Sequence, residues 1–298
     1  MTRGKPVSFR NTNLLIFALF CFMFWSFTSR PTRSITFARQ RHVPTSSIPT
    51  FVLHEASKIQ SEARKALETY DNSPSNGRFA AVKIALPLHN DFFKQIEIVG
   101  EPAKFIPGFR TMSLAGKSYI VYGFGVANDP SFENTMSSLG SSVYGFDCTV
   151  KGSDDFDFEF HPWCLGTEQD FEQNIYTAGI DEKIFTFHGL RAIMNKLHHA
   201  EIDMLKMDIE GFEWSVLYSE IIETDVRPEL LMFELHTEGA NPVFVPKNVV
   251  AGRDGAAVAD LFLKLFDIGY RVMHVDVNPG DSHCAEFALA YLNSNGIE

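Results

Sequence analysis

Between residues 118 and 292 the chain alternates short β-rich runs with helical stretches, and that alternation leaves few folds open. The first run, 118–122, ends in Gly123-Phe124-Gly125; Asp129 suits a helix N-cap and Pro130 the first helical position. Phe132, Met136 and Leu139 then form an apolar stripe that Gly140 stops. A second strand over 142–146 leads to Asp147, and Phe156, Phe158 and Phe160 alternate with acids as a third, half-buried strand would. Residues 184–187 fit a short strand or a loop, and 191–199 fit a helix. Residues 203–209 read as a central strand running into Glu210-Gly211, followed by a helix over 213–222 and a strand over 229–235. A helix over 256–268, stopped by Gly269, precedes strands over 270–277 and 285–292. Strands alternating with helices predict a mostly parallel sheet covered on both faces. The last two strands are joined only by Asn278-Pro279-Gly280-Asp281, too short for a parallel crossover, so they form an antiparallel pair at the sheet edge.

The N-terminal segment differs from this body. Residues 1–54 contain no acid, and their bases are Arg3, Lys5, Arg10, Arg30, Arg33, Arg39 and Arg41, in a chain whose net charge is -11. Residues 14–27 read LLIFALFCFMFWSF, and no charge falls between Arg10 and Arg30. As a helix rising ~1.5 Å per residue that stretch spans roughly 28 Å, close to the ~27 Å of the thinner membranes early in the secretory pathway. A cleaved signal or an organelle transit peptide are the competing readings, but Ser26-Phe27-Thr28-Ser29 is a poor cleavage site. The division expected is a basic tail at 1–13, a signal anchor at 14–29, a Pro/Ser/Thr/Arg-rich stem at 30–53 and a catalytic domain at 54–298. In that domain a helical lead-in over 54–100 precedes the core at 101–298, and the domain is expected in the lumen of the Golgi or endoplasmic reticulum. The acidic body argues against a nucleic-acid surface, which needs clustered cations. Cys148, Cys164 and Cys284 read as three buried thiols more simply than as one disulfide plus one thiol.

Two groups of residues carry chemistry. A first strand with a Gly123-x-Gly125 turn, then Asp147 at the end of the second strand, has the layout of an adenosine-binding crevice. There the glycines admit a ligand to the backbone and the acid takes ribose hydroxyls. Asn128 stands where a dinucleotide fingerprint has its third glycine, which disfavours a nicotinamide oxidoreductase. Lys206, Asp208 and Glu210, spaced by two, point to one side of the sheet, with Asp208 the nearest candidate partner for the lysine.

These residues resemble a known family. Val121-Tyr122-Gly123-Phe124-Gly125-Val126-Ala127-Asn128-Asp129, Val143-Tyr144-Gly145-Phe146-Asp147, Lys206-x-Asp208-x-Glu210-Gly211-x-Glu213 and Phe233-Glu234-Leu235-His236 are similar to the FkbM-type methyltransferases, and within them to a membrane-anchored, Golgi-associated branch. The resemblance implies a class I, Rossmann-like fold, with a seven-stranded sheet whose last strand is antiparallel, and S-adenosylmethionine as cofactor. It implies that Tyr122, Gly123 and Gly125 border the methionine end of the cofactor, that Asp147 holds its ribose, and that Trp163 and Leu165 lie near its adenine. Many members carry an acid where this chain has Tyr122, so the contact to the methionine end is either missing or falls to Glu133 or Asp129.

Methyl transfer from a sulfonium needs alignment above all, and a hydroxyl acceptor also needs a base. Lys206, Asp208, Glu210 and His236 are the candidate catalytic residues, with His236 attractive for an ordinary pKa of ~6.5. No metal is assigned, since His198 and His199, adjacent on a helix, face different ways. The acceptor pocket is expected in a loop such as 239–255, and the acceptor is read as a small molecule or glycan in preference to a protein. Two rivals remain: a non-catalytic protein that keeps the fold, and a glycosyltransferase using Asp155-Phe156-Asp157.

Overall fold

The computed structural model describes residues 118–167 and 187–291 continuously, two strands before them, and a few residues between 64 and 82. All of these belong to one compact unit, Val43–Glu298. The expected tail, anchor and stem lie outside the described residues, among which no helix is long and apolar enough to cross a membrane.

Strands β1 (Ile96–Val99) and β2 (Lys104–Pro107) form a separate antiparallel pair. The main chain order is then β3 (Ile120–Phe124), α1 (Ser131–Ser138), β4 (Ser142–Phe146), β5 (Glu159–His161), β6 (Cys164–Leu165) and β7 (Phe187–His188). It continues through α2 (Leu190–Lys196), β8 (Met204–Met207), α3 (Glu213–Val216), β9 (Leu230–His236), α4 (Gly255–Asp267), β10 (Tyr270–Val277) and β11 (Cys284–Tyr291). Seven strands make the central sheet in the order β10-β11-β9-β8-β3-β4-β5. Five of them are parallel neighbours, while β11 runs antiparallel to both β9 and β10 and so sits one place in from the edge. This is the mostly parallel sheet with an antiparallel last strand that the alternation and the short 278–281 link predict.

Side-chain parity sorts the core into two layers. On one face Tyr122, Phe124, Leu205, Met207, Leu231 and Phe233 pack with residues of α2, α3 and α4. On the other, Val121, Val143, Met204 and Met232 pack with Phe132 and Met136 of α1. Lys206 shares the parity of Met204 and therefore faces α1, where Glu133 is fully buried. The lysine does not pair with Asp208 as expected. Its Nζ donates to the Gly125 carbonyl oxygen at 2.8 Å and lies 3.8 Å from Glu133 Oε1.

Other boundaries shift for local reasons. Helix α1 starts at Ser131 with Pro130 as N-cap, while Asp129 Oδ1 accepts from the Ser131 amide. The third strand shortens to Glu159–His161, because Phe156 and Phe158 precede it and stack on each other at 4.9 Å between ring centroids. The helix after Gly211 is four α residues continuing as a π turn, Leu217–Ile222. Asp254 caps α4 through the amides of Ala256 and Ala257.

Replacing Lys206 with Met removes the ammonium that faces Glu133 and the Gly125 carbonyl, and breaking a buried pair in this way costs about 3–5 kcal/mol. Urea unfolding should show a loss of that size for Lys206→Met, and the double variant Lys206→Met/Glu133→Gln should recover most of it.

Candidate active site

The parallel order reverses around β3, whose neighbours β4 and β8 lie on opposite sides, and open α/β sheets bind ligands at the carboxyl end of such a switch point. A cavity of about 500 Å³ lies there, within the usual range for small-molecule sites. Its walls come from the turn after β3 (Gly125, Ala127), the end of β4 (Asp147, Cys148, Thr149) and the β6 region (Trp163, Leu165). Asp208 and Glu210 follow β8 at the other end, where residues 242–248 supply Pro242, Val243, Phe244 and Lys247. Part of the 239–255 loop therefore lies in the cavity wall.

The two glycines serve the protein's own atoms first. A Cβ on Gly125, whose φ is +77°, would stand 1.8 Å from the Asp208 carbonyl oxygen, so this turn and the end of β8 touch only because the residue is bare. A Cβ on Gly123 would stand 2.2 Å from Glu133 Oε1, and Gly123 does not line the cavity. Tyr122 does not line it either. It is fully buried in the core with its hydroxyl 2.7 Å from His199 Nδ1, and burial pushes its pKa well above the usual tyrosine value. Tyr122 and Gly123, expected to border a cofactor, thus lie behind the cavity wall and not on it. Glu133 is sequestered with Lys206 and Asp129 is exposed at the start of α1, so the acids that face the cavity are Asp147, Asp208 and Glu210.

Asp147 fits a ribose contact through one remaining position. Its Oδ2 accepts from the Ala127 amide at 2.8 Å; its Oδ1 accepts from the Thr149 amide and hydroxyl at 2.7 and 2.6 Å. A carboxylate offers about four lone-pair directions, so Oδ2 keeps one for a hydroxyl donor. Trp163 stacks on His161 at 4.3 Å between centroids, with the Lys196 ammonium 4.9 Å over its ring. With Leu165 and Phe146 it forms an apolar wall suited to a flat base. Cys148 and Cys164 form a disulfide beside this wall, leaving Cys284 as a buried thiol; the expectation of three thiols is corrected. The bond ties the segment after Asp147 to the strand bearing Leu165.

The acidic end is organised around His236. Its ring is 5% exposed, with Nδ1 3.3 Å from Glu213 Oε1 and Nε2 3.5 Å from Glu210 Oε2 and 3.6 Å from Glu234 Oε2. Burial alone would lower the imidazole pKa, but Glu213, the Cys284 thiol and Glu234 outweigh it and push the value up to about 12. The carboxylates around the ring thus favour its protonated form, which does not suit the expected use of His236 as a base. Burial raises Glu210 to about 7, with His236 opposing and Asp208 and Glu213 adding to the rise. Glu234, also buried, rises to about 7. Asp208, Glu210 and His236 bring ligand atoms within 4.8 Å of one another; here the imidazolium itself supplies the positive charge. Lys206 points away from the cavity to the Gly125 carbonyl, which makes it a positioning residue for the turn. Asp155 and Asp157 are exposed before β5 and do not line the cavity. Glu213, decisive for this geometry, stood in the sequence only as the last acid of the 206–213 block.

A sheet of this order, with a cavity at its switch point, is that of the class I methyltransferase type of α/β protein. The chain belongs to the methyltransferase-domain family, whose model matches residues 60–292. It is 28% identical over 167 residues to human "Probable methyltransferase-like protein 24", an alignment covering 54% of this chain and 43% of that protein. The rat protein of the same name is 29% identical over 119 residues, covering 39% and 32%. The chain spans less than half the length of these relatives. Among solved structures it is similar to the antibiotic-resistance methyltransferase Kmr, at 14% identity and TM-score 0.32 over 66% of this chain and all of that one. It is also similar to MtNAS in complex with S-adenosylmethionine, at 10% identity and TM-score 0.27 over 82% and 76%.

Two outcomes follow for the crevice. Asp147→Ala should abolish micromolar S-adenosylmethionine binding in calorimetry, because it removes both the ribose acceptor and the anchor of the Ala127 and Thr149 amides. Cys148→Ser/Cys164→Ser should lower thermal stability by about 3 kcal/mol, the scale for closing a loop of this length, and weaken cofactor binding in the same calorimetric assay.

Proposed function

We propose that the chain is a methyltransferase that methylates a hydroxyl oxygen of a small molecule or glycan, and that it acts in the secretory pathway. The observation that carries this reading is Glu210, a carboxyl at the acceptor end of the crevice whose pKa burial raises to about 7. Such a group is half ionised near neutrality, where a general base is most effective. S-adenosylmethionine, when bound, supplies a methyl group on a sulfonium, so its transfer to oxygen leaves S-adenosylhomocysteine. The Glu210 carboxylate would take the hydroxyl proton of the acceptor as its oxygen is methylated. Asp208, also on the cavity wall, would be an acid available to the positive methionine end, a role that the sequestered Glu133 and the exposed Asp129 do not offer. Val243 and Phe244, 70% and 54% exposed, give the acceptor an apolar rim.

The finer reading places the chain in the FkbM-type, Golgi-associated branch, anchored through residues 14–29 with its catalytic domain in the lumen. The apolar run between Arg10 and Arg30 supports the anchor, and the Cys148–Cys164 disulfide supports an oxidising compartment.

The test is transfer of tritiated methyl groups to a panel of hydroxyl-bearing small molecules and glycans, across pH. Because the ionised carboxylate is the active form, transfer should rise as pH passes through about 7 and then level off. Glu210→Gln should lower transfer by about 10²–10⁴-fold with cofactor binding retained. Transfer that is independent of pH and unaffected by Glu210→Gln would overturn the assignment.

A further inference from the structure

Glu213 is a fully buried carboxylate that the methyl transfer described above does not use. Its Oε1 accepts from the Ile209 amide at 2.8 Å, and its Oε2 accepts from the Gly211 amide at 2.9 Å. Those amides flank Glu210 on either side. Glu210 and Gly211 have φ of +56° and +102°, two successive left-handed residues. For a residue with a Cβ that conformation costs roughly 1–2 kcal/mol and persists only where the surroundings impose it. Gly211 is packed so closely on Val245, Val249 and Val250 that a Cβ there would meet them at 3.0–3.3 Å.

The same carboxylate also holds the ring that faces Glu210. Glu213 Oε1 lies 3.3 Å from His236 Nδ1, which leaves Nε2 turned toward Glu210 and Glu234. The His236 backbone is tied to the same helix, since Trp214 Nε1 donates to its carbonyl oxygen at 2.7 Å. One side chain therefore fixes the backbone on both sides of Glu210 and the orientation of the cation opposite its carboxyl.

We propose that Glu213 is a positioning residue for the methyl transfer, aiming the Glu210 carboxyl at the acceptor through the Ile209 and Gly211 amides and through His236. The inference rests on the reading of Glu210 as the base. A carboxylate is required at 213 because both oxygens accept from amides; glutamine would set its own NH2 donor against one of them. The charged and titratable groups around Glu210 are Asp208 and Glu213 from its own segment, His236 and Glu234 from β9, Cys284 and Glu286 from β11, and Lys247 across the cavity.

The test uses the full chain labelled with ¹³C at the glutamate carboxyl carbon, with the Glu210 resonance identified by its disappearance in Glu210→Gln. Glu210 is titrated in the wild type, Glu213→Gln and His236→Gln, alongside calorimetric binding of S-adenosylmethionine. In His236→Gln the Glu210 titration should move upward by at least about one pH unit, because the imidazolium facing it is gone. In Glu213→Gln the His236 ring, followed by its ¹⁵N shifts, should titrate at lower pH, and the Glu210 titration should change with it. Cofactor affinity should move less than about threefold in both, since neither residue lines the cavity. If Glu213→Gln fails to fold, His236→Gln tests the relay alone. An unchanged Glu210 titration in the folded variants would overturn the proposal. Intact coupling with methyl transfer unaffected by Glu210→Gln would instead remove the base assignment on which it rests.

Discussion

The Lys206 ammonium sits where the strand order of the sheet reverses, and the crevice depends on how it is satisfied. A lysine in the middle of an apolar parallel sheet is tolerated only with close oxygen partners, and here these come from two different elements. The Gly125 carbonyl lies on the turn after β3, and the Glu133 carboxylate is on α1. Because Gly123 has no side chain, that carboxylate can lie against the strand. Because Gly125 has none, the turn can rest on the Asp208 carbonyl. One buried charge thus joins β8, the turn after β3 and helix α1, next to the cavity that Asp147 and Asp208 both line.

A second polar centre, His236 among Glu210, Glu213 and Glu234, organises the end of the cavity that Glu210 lines. The two centres lie on the same face of the sheet, since Lys206, Asp208, Glu234 and His236 share strand parity. Their work differs. Lys206 stabilises a backbone turn, whereas His236 keeps several carboxylates close enough that burial and mutual repulsion raise two of them toward neutrality. Burial among like charges is how a carboxyl comes to titrate above its ordinary range.

Much of the architecture was legible in the residues. The helix stops at Gly140 and Gly269, the 270–277 strand and the short link before the last strand, residues 278–283 in the structure, depend on local rules, and the structure follows them closely. The crevice was legible through Gly125, Asp147, Trp163, Leu165, Asp208 and Glu210, all of which line it. Tyr122, Gly123 and His236 were read differently because their roles are set by what packs on them from far along the chain. His199 meets Tyr122 across 77 residues and Glu213 meets His236 across 23. No spacing rule reports that a histidine will be surrounded by three carboxylates.

The sequence by itself determined the order and kind of the elements, the antiparallel ending of the sheet and the placing of acids at strand ends, because period, caps and turn chemistry act over a few residues. Tertiary structure alone decided the partner of Lys206, the pairing of Cys148 with Cys164, and the burial and neighbours that raise the pKa values of His236 and Glu210. Those properties depend on burial and on charges brought within 4 Å by the packing of strands and helices distant in the chain, and pairing and ionisation follow that environment more than residue type.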